Sequence, residues 1–177
     1  KGFGMSVVAF DVRPNDAAAQ QLNYSYMDFD KVLSSSDIIT LHVPASSQTA
    51  NLLSDREFAL MKAGSVLINI ARGNVVDVPA LVRALAGGHL RAAGLDVLPE
   101  EPLTREEAQI FRIGATPFDY DLKALVANHV LLRFPNVIVT PHNAYNTDSA
   151  VRRIIETTLS NIEAFAQGNL QNAVAGI

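Results

Sequence analysis

Val66 to Pro102 reads VLINIARGNVVDVPALVRALAGGHLRAAGLDVLPEEP, and the fold turns on how this stretch is read. The run from Ser65 to Ile70 has the length and apolar character of a buried strand. It breaks at Ala71-Arg72-Gly73, which leaves a charged side chain at the strand's carboxyl end. Asp77 stands as the N-cap of a helix with Pro79 in its first turn, and Leu81, Val82 and Leu85 fall on one face. Gly87-Gly88 ends that helix, and Ala92 to Val97 forms a second strand with Asp96 at its carboxyl end. Strand, helix, strand predicts a parallel α/β sheet, and such sheets bind ligands outside the carboxyl ends of their strands. Arg72 and Asp96 therefore stand where a site is expected.

Upstream, Val7 to Val12 reads as a strand carrying Asp11 near its end, and Asn15 to Leu22 and Met27 to Leu33 as short helical pieces. Asp37 to Val43 is another strand, closed by Pro44. Its His42 is expected to be a packed, hydrogen-bonded histidine. Ser54 and Glu57 have capping-box spacing, and Phe58, Met61 and Leu60 supply the buried face of the helix they start. Downstream, 103–134 is the least readable part. Glu106 and Glu107 look like a solvated helix start, and Leu122 to Leu131 is helical in pattern. His89 and His129 are expected on the surface. Val137 to Thr140 is a strand that delivers Pro141 and His142, and Val151, Ile154, Ile155, Thr158, Leu159, Ile162 and Phe165 mark a long amphipathic helix ending at Gly168.

The 177 residues suit one domain with a sizeable core, or one domain and part of another. Hydrophobic residues at 49% and charged residues at 18% describe an ordinary globular chain. Fourteen basic against eighteen acidic residues give a net charge of −4 with no basic block, which argues against nucleic acid or an anionic membrane as partner. Without cysteine there is no disulfide framework and no thiolate metal site, and no metal is expected. No apolar run approaches a membrane span and no signal peptide is visible, so the cytoplasm is the expected compartment.

The words INIARGNVVDVPALVRAL, AAGLDVLPEEP and VIVTPHNAYNT resemble the NAD-binding half of the D-isomer-specific 2-hydroxyacid dehydrogenases. That family carries an Arg in A-R-G, a Glu just before a Pro and a His in T-P-H, matched here by Arg72, Glu101 and His142. The helix DSAVRRIIETTLSNIEAF resembles the D-lactate dehydrogenase branch, although Asn146 stands where D-lactate enzymes often have an aromatic residue. The resemblance implies a Rossmann-type doubly wound parallel sheet over 1–147. It implies that 148–177 form a C-terminal helix and tail returning toward a substrate domain. It also implies NAD as cofactor, a small 2-keto or 2-hydroxy acid as substrate, and a homodimer. Val43, Pro44, Thr49, Ile70, Ala71, Arg72 and Asp96 are the implied cofactor contacts, with Asp96 accepting from the nicotinamide carboxamide. Asp11 is implied to bond the adenosine ribose hydroxyls, which favours NAD over NADP, although Arg13 nearby is the residue type that accommodates a 2′-phosphate. On position alone, Asp11 reads equally well as a solvated loop acid.

No G-x-G-x-x-G turn occurs, and Lys1-Gly2-Phe3-Gly4-Met5 matches the family's segment between its first helix and second strand. The sheet is therefore expected to lack its first strand and glycine loop. In the strand order 3-2-1-4-5-6 the first strand is central, so its absence is expected to separate the strand at Val7 to Val12 from the strand at Ser65 to Ile70. Residues 1–177 by themselves are expected to be unstable or associated, and inactive.

Reduction of a 2-keto acid requires a grip on the carboxylate, polarisation of the carbonyl and a proton for its oxygen. Guanidinium is permanently charged and holds carboxylates by a forked contact, which suits Arg72. Imidazole gives and takes protons near neutrality, which suits His142. A carboxylate bonded to that imidazole favours its charged form, the role the resemblance gives Glu101, chosen over Glu100 for its place before Pro102. Taken singly, an Arg after a strand is usually a surface ion-pair member, surface acids are mostly solvated, and a lone His is usually structural. Three suitable residue types at the carboxyl ends of strands in one sheet favour catalysis. The alternatives are an NAD-sensing, corepressor-like binding protein on the same fold, or an inactive truncated chain.

Overall fold

The computed structural model describes residues 2–99 and 122–173. Glu100, Glu101, Glu106 and Glu107 lie outside them. Four strands form one parallel sheet: β1 and β2 are kept for a smaller pair at Val8–Ala9 and Ser25–Tyr26, and the larger sheet runs β3 (Ile38–Leu41), β4 (Ser65–Asn69), β5 (Leu90–Leu95) and β6 (Val137–Val139) in spatial order. Helices alternate with the strands: α1 (Asp16–Leu22), α2 (Phe29–Ser35), α3 (Asp55–Leu60), α4 (Val78–Ala86) and α5 (Leu122–Leu131). All ladders are parallel, so this is the α/β architecture that the strand–helix–strand reading predicts.

Local chemistry explains the element ends. Asn15 caps α1 by accepting from Ala18 N–H at 3.0 Å, and Asn23 ends it in the left-handed region. Asp77 caps α4 through Ala80 N–H at 3.1 Å, with Pro79 inside the first turn. Ser54 N–H donates to Glu57 Oε2 at 3.1 Å in the expected capping box, while its hydroxyl reaches Asp77 Oδ2 at 2.9 Å and joins the starts of α3 and α4. Leu81 and Leu85 of α4 pack with Leu33 of α2, Phe58 of α3, Leu131 of α5 and Leu41, Leu67 and Leu95 of the sheet. Each such side chain removed from water contributes roughly 1.5–3 kcal/mol.

Helices α2 to α5 share one core with the larger sheet. Ile39, Leu41, Leu67, Ala93 and Leu95 point into the core, whereas Val66 and Ile68 are only half-buried and Ile38 and Ile138 are exposed. The strand expected to be buried at Ser65 to Ile70 is thus fully buried on one face and half-buried on the other. The strand also stops at Asn69, leaving Ile70 exposed, and the second strand runs from Leu90 to Leu95 instead of Ala92 to Val97.

Other boundaries moved as well. The strand expected over Val7 to Val12 contracts to Val8–Ala9, because pairing with the two residues Ser25–Tyr26 is all its partner supplies. The helix expected from Met27 begins at Phe29, since Met27 N–H instead extends the ladder to Ala9 C=O at 2.9 Å. β1 and β2 share no ladder with the larger sheet. The strand at Ser65 to Ile70 is not an edge, however: it pairs on both sides, with β3 and β5, and the edges of the larger sheet are β3 and β6. No helix among the described residues is long and apolar enough to cross a membrane.

The chain divides after Pro141 into two compact units. The second contains α6 (Asp148–Ala166), capped by Thr147 through Ala150 N–H, with Gly168 in the left-handed region just beyond it. Its apolar stripe is present as expected, but Ile154, Ile155, Leu159, Ile162 and Phe165 are all exposed.

Candidate functional site

The loops that follow β3, β4 and β5 are laced together. Asn51 N–H donates to Asn74 C=O at 2.8 Å, Leu53 bridges Val76, and Asp77 N–H donates to Leu53 C=O at 2.9 Å. The loop after β4 in turn rests on the loop after β5. A Cβ on Gly73 would lie 2.1 Å from the Leu98 carbonyl carbon and 2.3 Å from Pro99 N, so only glycine fits this approach. Asn128 of α5, fully buried, donates to Pro99 C=O at 2.8 Å and anchors the same loop from beneath.

Arg72 leaves the chain between β4 and a short 3-10 turn at Gly73–Val75. Asn69, the last residue of β4, holds that turn from inside: its Oδ1 accepts Ala71 N–H at 3.0 Å and its Nδ2 donates to Arg72 C=O at 3.0 Å. The Asn69 carbonyl accepts Asp96 N–H at 2.9 Å, tying the carboxyl ends of β4 and β5. The Arg72 side chain is exposed and donates from Nη1 to Ala71 C=O at 2.7 Å. No carboxylate of the described residues pairs with it, whereas Arg56, Lys62 and Arg83 all have acidic partners. Among the described residues, Arg72 is therefore not a member of a surface ion pair.

Asp96 stands one residue past β5, and Thr140, one residue past β6, donates its hydroxyl to the Asp96 carboxylate. Thr140 N–H also donates to Leu95 C=O at 3.0 Å. Val43 and Pro44 follow β3, and Thr49 closes their turn: its hydroxyl donates to Pro44 C=O at 2.6 Å and accepts Ser46 N–H at 2.9 Å. Ala71 is buried and Ile70 exposed. Thus Val43, Pro44, Thr49, Ile70, Ala71, Arg72 and Asp96 all lie on the laced loops at the carboxyl side of the larger sheet.

Asp11 lies apart from that group, two residues past β1. Its Oδ1 accepts Arg13 N–H at 2.7 Å, a local turn that leaves the second carboxylate oxygen outward on an exposed side chain. An acid so placed after a parallel strand fits the ribose hydroxyls of a dinucleotide, and Asp96 fits an amide donor. His142 is the first residue of the second unit, half-buried, with its backbone at φ 50°, a left-handed conformation uncommon outside glycine. The expected Glu101 lies outside the described residues. Among the described residues no cluster of acidic or histidine side chains could hold a metal ion.

Of the other histidines, His129 is exposed as expected, but His42 and His89 departed from expectation. His42 lies beyond β3 and is exposed, although its Nε2 is 3.0 Å from Thr40 Oγ1. His89 is half-buried, not exposed: its Nε2 is 2.9 Å from Met61 C=O, and its own carbonyl accepts Gly64 N–H at 2.7 Å. Asn69 and Thr140 had not been singled out. The signal for Asn69 was a polar residue inside an otherwise apolar run.

Residues 1–144 match the family described as D-isomer specific 2-hydroxyacid dehydrogenase, NAD binding domain. A D-specific alpha-keto acid dehydrogenase of Enterococcus faecium is 38% identical over 161 residues, covering 91% of this chain and 45% of the relative. A glyoxylate reductase of Thermococcus litoralis is 34% identical over 170 residues, covering 96% of this chain and 44% of the relative. Among solved structures, the D-lactate dehydrogenase of Lactobacillus jensenii with NAD+ superposes with TM-score 0.80 at 37% identity, over 99% of this chain and 50% of that one. The chain thus spans about half the length of the relatives it matches. It belongs to the D-isomer-specific 2-hydroxyacid dehydrogenase family, whose NAD-binding domain its residues 1–144 match.

Proposed function

We propose that the protein is an NAD-dependent oxidoreductase that interconverts a 2-keto acid and a D-2-hydroxy acid. The reading rests above all on Arg72. It stands at the carboxyl end of a parallel strand, unpaired by any described carboxylate, on a turn held by Asn69 beside Asp96. A guanidinium so placed donates to a carboxylate in a forked contact and draws electron density from the adjacent carbonyl.

Asp11 would bond the ribose hydroxyls and disfavour a 2′-phosphate, and Asp96, oriented by Thr140, would accept from the carboxamide. Val43 and Pro44, held in their turn by Thr49, would border the same cofactor, with Ile70 and Ala71. The nicotinamide, when bound, supplies the hydride for C2. Arg72 holds the substrate carboxylate, and His142 gives its proton to the C2 oxygen, completing the hydroxy acid. Glu101 would accept from the His142 imidazole and stabilise its charged form. In the reverse direction His142 takes the hydroxyl proton. We assign the protein to the cytoplasm, as a homodimer, with a small 2-keto acid as substrate.

The test is NADH oxidation with pyruvate, glyoxylate and phenylpyruvate by the protein as it occurs in its host, with Arg72→Lys beside it. Turnover of at least one acid is expected. Because an ammonium cannot reproduce the fork, Arg72→Lys should lower kcat/KM by about 10²-fold, as misplacement of a reacting group does. Unchanged kinetics would return Arg72 to an ordinary surface role.

A further inference from the structure

We propose that Asn69 is a positioning residue for Arg72, setting the direction in which the guanidinium leaves the backbone. The inference rests on the reading of Arg72 given above.

Asn69 is 1% exposed and is one of three buried polar residues among those described, with Ser65 and Asn128. A primary amide inside an apolar strand costs free energy unless both of its ends are bonded. Both are. Oδ1 accepts the Ala71 N–H and Nδ2 donates to the Arg72 carbonyl, so the two bonds bracket the backbone torsions of both residues. A simple turn closure would need only the first bond. The second holds a carbonyl that also accepts Val75 N–H at 3.2 Å, which fixes the start of the 3-10 turn. Arg72 itself is extended, at φ −147° and ψ 149°.

The clamp has nowhere to relax. Toward β5, Gly73 already abuts the Leu98–Pro99 backbone, and the Asn69 carbonyl is held by Asp96 N–H. Within the strand, Asn69 pairs with Leu95 in register. A rotation of the Arg72 Cα–Cβ direction therefore requires breaking an Asn69 bond, and a side chain as long as arginine converts a small backbone rotation into a large displacement of its fork. Leucine would fill the same volume without a desolvated amide, but would release the turn.

The experiment is a double-mutant cycle on the protein as it occurs in its host. Asn69→Asp and Asn69→Ser are each measured alone and with Arg72→Lys, using whichever of pyruvate, glyoxylate and phenylpyruvate is turned over fastest. Asn69→Asp keeps the acceptor for Ala71 N–H but, ionised, places a carboxylate against the Arg72 carbonyl. It should lower kcat/KM for the keto acid by about tenfold or more, and by less than about threefold in the Arg72→Lys background. Adding either Asn69 substitution should change the NADH dissociation constant, read by fluorescence, by less than about threefold within each background. The loss should also shrink as pH falls, because the protonated carboxyl regains a donor for Arg72 C=O, and burial favours that form. If Asn69→Asp fails to fold, Asn69→Ser, which keeps a hydroxyl but cannot span both partners, serves the same cycle. Equal losses in both backgrounds, or NADH affinity falling in parallel, would show that Asn69 supports the fold and not Arg72. Unchanged kinetics for Arg72→Lys alone would instead overturn the functional reading, and this inference with it.

Discussion

The larger and smaller sheets of the first unit are both parallel and both alternate with helices, yet different forces hold them. Strands β3 to β6 stand on a core in which Leu53, Leu67, Leu81 and Leu131 are completely buried. Strands β1 and β2 contribute two residues each, and of α1 beside them only Ala19 is buried. What orders this smaller part is polar and local: the Tyr24 and Tyr26 hydroxyls are 3.1 Å apart, Tyr26 accepts Asn15 N–H at 3.1 Å, and the two rings meet edge to face. The candidate site divides along the same line. Arg72's turn is fixed by a buried asparagine, whereas Asp11's turn is closed by its own neighbour, Arg13. At the group proposed to touch substrate, turn bonds are backed by tertiary packing, through Gly73 against the Leu98–Pro99 backbone. Short-range turn chemistry sets the one proposed to choose the cofactor.

Damage to the larger core should break this contrast most severely. Leu81→Ala, at a fully buried site, should cost about 2–5 kcal/mol, read as a lower urea midpoint. A loss no greater than that of an exposed-site control would mean the core does not carry the sheet. Tyr26→Phe, which removes both hydrogen bonds of that hydroxyl, should cost less, about the net contribution of two exposed hydrogen bonds. It carries a spectroscopic signature too. The bond to Tyr26 is the largest of the causes that hold the Tyr24 hydroxyl above the ordinary phenol value, so Tyr24 should titrate at lower pH in the variant. An unmoved ultraviolet titration would remove the tyrosine pair from the account. Asp11→Ala should leave stability nearly unchanged and narrow the preference for NADH over NADPH. Equal use of both cofactors by the unmodified protein would show that Arg13 outweighs the acid.

The smallest effect is expected at Asp55. The forked bond from Arg83, at 2.7 and 2.9 Å, holds its carboxyl below the usual range. A carboxyl with a depressed folded value stabilises above its unfolded value, and that contribution is lost as pH falls through the folded one. The pair is solvent-exposed, so screening leaves little of it. Asp55→Asn should barely change the neutral-pH melting temperature, and only slightly flatten its fall in acid. A large drop would mean that the α3–α4 surface matters as much as the core beneath it.

The unit from Ser65 to Val97 was legible because its signals are short-range. Asp77, Pro79 and the glycine pair bound α4, and apolar spacing supplied its buried face. Strand lengths were less legible, since pairing depends on what the partner offers: Val8–Ala9 is as long as Ser25–Tyr26 allows. The sequence also marked the break between sheets but misplaced its border, because which strand neighbours which is a tertiary property. His89 looked like a surface turn residue, and its bond to Met61 C=O joins segments 28 positions apart. Arg72, Asp96 and His142 were recognisable as chemical types at strand ends. Asn69 was not, because an amide in an apolar run gives no hint of the two backbone groups it will meet.

The central claim is that His142 gives and takes the proton in keto-acid reduction. The most direct measurement compares NADH-dependent reduction of the best keto acid by the unmodified protein and by His142→Gln, with NADH binding followed in parallel. Loss of a general acid should cut turnover by about 10²–10⁴-fold while NADH affinity changes little. A drop smaller than about tenfold, or an equal loss of NADH binding, would contradict the assignment.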